Sequence, residues 1–434
     1  MSNAPIWSVD DHLADILAAV RPLEPIELQL PDAQGCVLVE DVTVEVSLPP
    51  FDNSSMDGYA IRTVDVEGAS EEYPAVLTVI GDVAAGMAQL PTVGPGQAAR
   101  IMTGAPLPPG AQAVVPVEWT DGGTGRGTAT TMRAASGAPE GASGEVRVYR
   151  PAGPGAHVRE RGSDVRSGEL ALEAGTLLGP PQIGLLAAIG RGSVRVRPRP
   201  RVVVMSTGSE LTQPGEVLAE GQIYDSNSFA LAAAAQDAGA IAYRVGAVTD
   251  DAHELRATIE DQLIRADLLV TTGGVSVGAY DVVKEALSSV GDQDEHGSGI
   301  DFRKLAMQPG KPQGFGSIGP DHTPLLALPG NPVSSYVSFE LFVRPAIRAL
   351  MGVKDVSRRT VRATLEARGP VGSPAGRRQF LRGRYDAEKG TVTTVGGSGS
   401  HLIAALAHAD CLIVIPEKTE LAEPGTELDV VLLG

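Results

Sequence analysis

The sequence predicts a multidomain protein of the α/β plus β class, in which an α/β domain stands beside modules built of β-strands. Three observations predict it. From about residue 198 to 350, short apolar runs alternate with stretches of helical period, the pattern of a parallel or mostly parallel sheet covered on both faces. From 51 to 147, and again over 355–434, the pattern is short β segments punctuated by turn residues. A length of 434 residues exceeds one ordinary domain, and about three is the expected number.

Each element follows from its residues. Ser8 caps a predicted helix over 8–20, whose apolar stripe is Val9, Leu13, Ile16, Leu17 and Val20 and which Pro22 and Pro25 end. Residues 26–50 alternate like strands as far as Pro49-Pro50. Strands are expected at 75–80, 97–102, 113–116 and 144–149, with the Gly-, Thr- and Ala-rich stretch 121–144 a mobile hairpin tip. Residues 150–180 form a mixed segment marked by five glycines from Gly155 to Gly179. The α/β part then reads strand 201–206, helix 226–238 capped by Asp225 or Ser226, strand 241–248, helix 251–264, strand 268–272, helix 281–290, strand 325–328 and a long helix 332–350. The tail returns to strands at 360–365, 379–385, 391–395 and 411–416.

Composition narrows the function. Hydrophobic residues make up 43% and aromatic residues 4%, so the cores are expected to be built mainly of Val, Leu, Ile and Ala. A net charge of −18 excludes a general nucleic-acid surface, which needs a basic footprint. Cys36 and Cys411 are far apart and make no metal-type pair, which fits a reducing, cytoplasmic setting. Residues 1–10 lack the basic and apolar regions of a signal peptide, and no apolar run approaches the roughly 20 residues that cross a bilayer.

The chemistry concentrates just after the predicted strands, where ligands bind in such folds. Ser206-Thr207-Gly208-Ser209-Glu210 follows the first strand and Thr249-Asp250-Asp251 the second; the third runs into Thr272-Gly273-Gly274, with Asp281 beyond; Pro329-Gly330-Asn331-Pro332 follows a later one. A strand feeding a glycine turn and a helix start presents backbone N–H groups to an anion, and adjacent glycines let a phosphate or a neighbouring chain approach closely. Converging carboxylates (Glu210, Asp250, Asp281) need a cation or raised pKa values, and oxygen ligands favour a hard ion such as Mg²⁺. Lys304 and Lys311 suit phosphate neutralisation. The expectation is Mg²⁺-assisted phosphate-group chemistry in one crevice. Each residue alone has a plainer reading: Asp250 and Asp251 as helix caps, Glu210 as a loop charge, Lys311 as a solvated turn residue, and the histidines, His12 and His401 among them, as structural.

Six motifs together resemble the molybdopterin molybdenumtransferase family (MoeA-like proteins and the E domain of gephyrin). They are Ser54-Ser-Met-Asp-Gly-Tyr-Ala60, Arg100-Ile-Met-Thr-Gly-Ala-Pro-Leu-Pro-Pro-Gly110, Thr207-Gly-Ser-Glu-Leu211, Thr272-Gly-Gly-Val-Ser-Val-Gly278, Pro309-Gly-Lys-Pro312 and Leu328-Pro-Gly-Asn-Pro-Val-Ser334. The resemblance implies an elongated subunit with a discontinuous N-terminal domain (1–50 and 148–180), an inserted small β domain (51–147), an α/β/α three-layer molybdopterin-binding domain (181–350) and a C-terminal β-barrel (351–434). It implies insertion of molybdate into adenylylated molybdopterin with Mg²⁺-dependent release of AMP, in a homodimer that touches the adenylyltransferase and molybdoenzyme acceptors transiently. A molybdopterin adenylyltransferase and a cofactor-binding scaffold are the alternatives.

Carried over by motif, Asp57 and Thr103 come from the N-terminal half, from the partner subunit across a dimer. Asp164, Glu210, Asp250 and Asp281 resemble the metal cluster, with Asp57, Glu210, Asp250 and Asp281 catalytic. Thr207, Gly208, Gly273, Gly274, Ser276, Lys304, Lys311, Pro329 and Pro332 resemble substrate contacts, and Arg377, Arg378, Arg382 and Ser400 the rim from the C-terminal domain. Gln308 departs from relatives that carry lysine there, so one basic contact is missing or replaced.

Overall fold

The computed structural model describes residues 6–125, 127–131, 144–248, 251–274 and 299–434. Its central sheet has seven strands in the order Ile6–Trp7, Gly299–Leu305, Pro312–Ile318, Thr323–Leu328, Leu268–Thr272, Arg201–Thr207 and Ile241–Val248. The strand Arg201–Thr207 pairs in parallel with both its neighbours, and Leu268–Thr272 pairs in parallel with Thr323–Leu328.

Alternation along these strands divides two cores, because successive side chains point to opposite faces. Val202, Val204, Leu268 and Val270 meet helices Val9–Ala19, Asn227–Asp237 and the segment Pro332–Leu350 on one face. Val203, Met205 and Leu269 meet Leu255 and Ile259 of helix Ala252–Leu263 on the other. The result is three layers.

The sheet is mostly parallel, as expected, with one strand reversed. Pro312–Ile318 runs antiparallel to both neighbours. Its sequence, broken by Gly314 and Gly316, has no strand period, yet the glycines are required: a Cβ on Gly316 would lie 1.9 Å from the Gly299 carbonyl oxygen. Two further strands of this sheet went unread in the sequence, Gly299–Leu305 and the two-residue Ile6–Trp7, which pairs in parallel with it.

Helix ends match their capping residues. Ser8 Oγ accepts from the Asp11 N–H at 3.0 Å and Asp251 Oδ1 from the Glu254 N–H at 2.9 Å. The expected single helix over 332–350 is interrupted by a π-helical turn, Phe339–Val343. Pro345 lies just past that turn and has no N–H for the regular ladder, which accounts for the wider turn. The expected helix 281–290 lies outside the described residues, as do 126 and 132–143 of the expected hairpin tip.

A further core joins distant segments: Leu30, Leu38, Val42 and Val44 pack with Leu178, Leu186, Val194 and Val196. Strand Ser193–Arg197 pairs there with Ile26–Gln29 and Val37–Leu38, while Val9, Ile16 and Val20 belong to the core of the central sheet. Between these segments lies a five-stranded sheet in the order Glu145–Val148, Ala75–Val83, Gln97–Ile101, Gly58–Ile61 and Ala113–Pro116.

The C-terminal strands close a five-stranded barrel. Its order is Arg378–Asp386, Thr391–Thr394, Thr360–Glu366, Glu427–Leu432 and Cys411–Ile415, the last pairing back onto the first. Met307–Gln308 adds to this barrel in parallel, Gln308 opposite Gln379. Asp10 and Glu417 both grip Arg378, tying the first helix to the barrel at 2.7 and 2.9 Å. Both cysteines are buried and free, and among the described residues no helix is long and apolar enough to cross a membrane.

Candidate active site

A cleft of about 770 Å³ opens at the carboxyl ends of Arg201–Thr207, Leu268–Thr272 and Thr323–Leu328. A chain of short bonds holds its loops together. Thr272 Oγ1 donates to the Pro329 carbonyl at 3.0 Å, and the Gly273 N–H donates to the Leu328 carbonyl at 3.1 Å. Asn227 Nδ2 donates to Thr272 Oγ1 at 3.1 Å and to the Gly330 carbonyl at 2.7 Å. Gly273 adopts φ +101°, and a Cβ there would sit 2.5 Å from the Thr207 carbonyl oxygen, so the loops meet only because this residue is glycine. Its N–H is spent within the protein and is not offered to an anion.

Nine of the residues assigned a catalytic, metal or substrate role from the sequence line this cleft: Thr207, Gly208, Glu210, Gly273, Gly274, Lys311, Pro329, Pro332 and Ser400. Ser400 reaches it because its carbonyl accepts from the Val333 N–H at 3.0 Å. Arg382 is buried and donates to the carbonyls of Gly397 and Gly399, shaping the turn that presents Ser400. Arg377 Nη1 donates to Gln308 Oε1 at 3.3 Å, and Gln308 itself lines the cleft.

Other residues lie elsewhere. Lys304 stands on Gly299–Leu305 opposite Pro312 and does not line the cleft. Arg378 is committed to Asp10 and Glu417; its hydrogen bond holds the Asp10 carboxyl below its ordinary value. Asp57 accepts from the N–H and Oγ1 of Thr103 at 2.7 and 2.9 Å, joining two motifs beside strands Gly58–Ile61 and Gln97–Ile101, and neither residue lines this chain's cleft. Asp164 is exposed outside the cleft, its N–H donating to the Leu48 carbonyl at 3.0 Å. Asp250, Ser276 and Asp281 lie outside the described residues.

The cleft also holds residues the sequence reading passed over. Asn227 ties its helix start to two strand ends, yet the run Asp225-Ser226-Asn227 reads only as a helix start. Asp225 is buried and accepts from Ser206 Oγ at 2.8 Å, from the Ser228 N–H at 3.1 Å and from Ser228 Oγ. His401 was read as structural but lines the cleft, and Ile223 and Tyr224 line it from a short ribbon.

The donor set bears on a divalent ion. Among the described residues no group of three or more His, Cys, Asp and Glu converges. Of the cleft's two described carboxylates, Asp225 is committed to Ser206 and Ser228, which leaves exposed Glu210. One carboxylate suits an ion whose other ligands are substrate phosphate and water, as is usual for Mg²⁺. With Lys311 and Glu210 at one mouth, the arrangement is fitted to a phosphate-bearing ligand.

Comparison with known proteins accounts for nearly the whole chain. Residues 7–190 match the MoeA N-terminal region (domain I and II), residues 203–349 a probable molybdopterin binding domain, and residues 364–433 the MoeA C-terminal region (domain IV). Molybdopterin molybdenumtransferase 2 of Mycobacterium tuberculosis is 44% identical over 423 residues, covering 98% of each chain. Molybdopterin molybdenumtransferase 1 of the same organism is 41% identical over 449 residues, covering 98% of this chain and 99% of its own. The crystal structure of a molybdopterin biosynthesis MoeA protein from Pyrococcus horikosii superposes with a TM-score of 0.73 at 32% identity, over 99% of this chain and 100% of that one.

Proposed function

The chain belongs to the MoeA-like molybdopterin molybdenumtransferase family and is a transferase of molybdenum cofactor biosynthesis, and we propose that it inserts molybdate into adenylylated molybdopterin with release of AMP. One observation supports this step above the rest: strand-end loops join Lys311, Glu210 and two glycine turns around a cleft large enough for a pterin phosphate ester.

The reaction breaks one P–O bond of the phosphoanhydride. The phosphorus gains an oxygen from molybdate or water and AMP leaves; as the two dithiolene sulfurs bond to molybdenum, one molybdate oxide departs as water with the two thiol protons. Lys311 offsets the anionic charge that gathers at phosphorus, where a fixed cation needs no reorganisation. Asn227 fixes the spacing of the Thr272 and Gly330 loops, so the phosphate end is held in one place. Glu210, with Asp250 and Asp281 as the further acidic residues that follow strands in the sequence, would hold Mg²⁺, which when bound would polarise the anhydride and screen molybdate from the phosphates. Asp57 and Thr103 act from the partner subunit of a homodimer in the cytoplasm.

The preceding adenylyltransferase is the rival enzyme. Its glycine loop continues Gly-Gly-Thr-Gly, where this chain has Gly273-Gly274-Val275-Ser276. Incubation with ATP and molybdopterin separates the two: this reading expects no pyrophosphate, whereas steady pyrophosphate formation would make the chain the earlier enzyme.

A further inference from the structure

We propose that the ribbon of Leu211–Thr212 paired with Ile223–Tyr224 is a stacking platform for a flat heteroaromatic ring of the substrate, with Tyr224 the residue that recognises it. This rests on the reading above, in which the substrate carries two such rings, adenine and pterin. Leu211, Ile223 and Tyr224 all line the cleft, and Ile223 and Tyr224 remain 55% and 44% exposed. The rest of the described lining is chiefly Gly, Pro, Ser, Thr and amide or charged side chains, and Tyr224 is its sole phenol. Aromatic residues are only 4% of this chain, so one standing open at a polar cleft is unusual for it.

The ribbon is braced. The Ile223 N–H donates to the Glu210 carbonyl and the Asp225 N–H to the Thr212 carbonyl, each at 2.9 Å. Asp225, the next residue, is buried and anchored on Ser206 and Ser228. Tyr224 Oη donates to the Glu216 carbonyl at 2.9 Å, so its polar atom is satisfied by the protein and the ring contributes area alone. Because the ribbon springs from Glu210, the ring it binds lies next to the exposed carboxylate of the cleft. A tyrosine face stacks on any base or pterin without reading its edge, a contact worth about five- to a hundredfold in affinity.

The test is equilibrium binding of AMP, ribose 5-phosphate and free pterin to the full chain, to Tyr224→Ala and to Tyr224→Phe, with thermal unfolding as the check on folding. Tyr224→Ala is expected to weaken AMP, pterin or both by about tenfold while ribose 5-phosphate, which has no ring to stack, is unchanged. Tyr224→Phe is expected to keep most of the affinity, because the ring remains. Loss with AMP alone assigns adenine to the platform, and loss with pterin alone assigns the pterin. Equal loss for ribose 5-phosphate, or no loss for either ring, overturns the platform. An unsubstituted protein that binds neither AMP nor pterin overturns the proposed function as well, and so is told apart from a failure of Tyr224 alone.

Discussion

The side-chain amide of Asn227 donates to the carbonyl oxygen of Gly330 at 2.7 Å, joining the start of one helix to the loop that opens another across the mouth of the cleft. The same nitrogen reaches Thr272 Oγ1, so one side chain ties the helix start to two strand ends. Asn227→Ala removes both bonds and leaves the Gly330 carbonyl unpaired. AMP release is expected to fall about tenfold, the worth of one to two hydrogen bonds, with a small drop in melting temperature. Turnover kinetics beside thermal unfolding check it, and an unchanged rate would mean that the loops hold their spacing without Asn227.

Asp57 and Thr103 are bonded to each other, and neither lines this chain's cleft. If they serve the partner's cleft in a symmetric dimer, Asp57→Ala and Glu210→Gln subunits are each inactive alone yet complement when mixed. Random reassortment regenerates about a quarter of the sites intact. Complete lack of recovery in demonstrated heterodimers would place Asp57 in its own subunit's chemistry, and full activity of Asp57→Ala alone would place it in none.

Gln308 occupies the cleft wall with its Oε1 accepting from Arg377. Gln308→Lys adds a cation beside Lys311 and is expected to tighten molybdate and phosphate binding several-fold at low salt. The gain should shrink as ionic strength rises, since exposed charges are screened. Calorimetric titration at two salt concentrations reads both effects; equal affinity at low salt would show that Arg377 already supplies the charge.

His12, 1% exposed, lies edge-on to Phe342 at 4.8 Å and to Phe315 at 6.4 Å. Burial first, and then the Arg303 guanidinium, push its pKa down to about 4; Asp15 and Asp301 oppose this. The neutral ring, with Nδ1 3.3 Å from Arg303 Nη1, is the folded form. As pH falls below the unfolded value near 6.5, the unfolded chain takes a proton that the folded chain refuses, so stability is full above pH 7 and declines toward pH 4. The loss is at most about 3 kcal/mol. His12→Gln should be less stable at pH 7 but should flatten this decline, which urea unfolding between pH 7 and 4 measures; a parallel decline in both proteins would assign the acid sensitivity to other groups.

Long apolar runs made much of the α/β layer legible. Strands Ile241–Val248 and Leu268–Thr272 and helices Asn227–Asp237 and Ala252–Leu263 fall where period and capping residues put them. What the sequence hid has no period to read. Pro312–Ile318 is a strand because its glycines let a neighbouring strand press close, and Ile6–Trp7 has only two residues. Within the site, Gly273 was legible as a point of close approach, but what comes close is the Thr207 backbone, and its N–H meets the Leu328 carbonyl where an anion was expected. Tyr224 and Asn227 were not, since their roles come from a two-residue ribbon and from loops more than 40 residues away in sequence. The separation of Lys304 from the cleft is likewise a tertiary fact: the sequence places it seven residues before Lys311, but only the latter lines the cleft.

The most direct measurement is AMP release from adenylylated molybdopterin by the purified chain with Mg²⁺, with and without molybdate, beside Glu210→Gln. The account predicts AMP only when molybdate and the divalent ion are both present, and a Glu210→Gln protein that still binds the substrate but releases little AMP. AMP release indifferent to molybdate, or tight binding with no release under any condition, would contradict it.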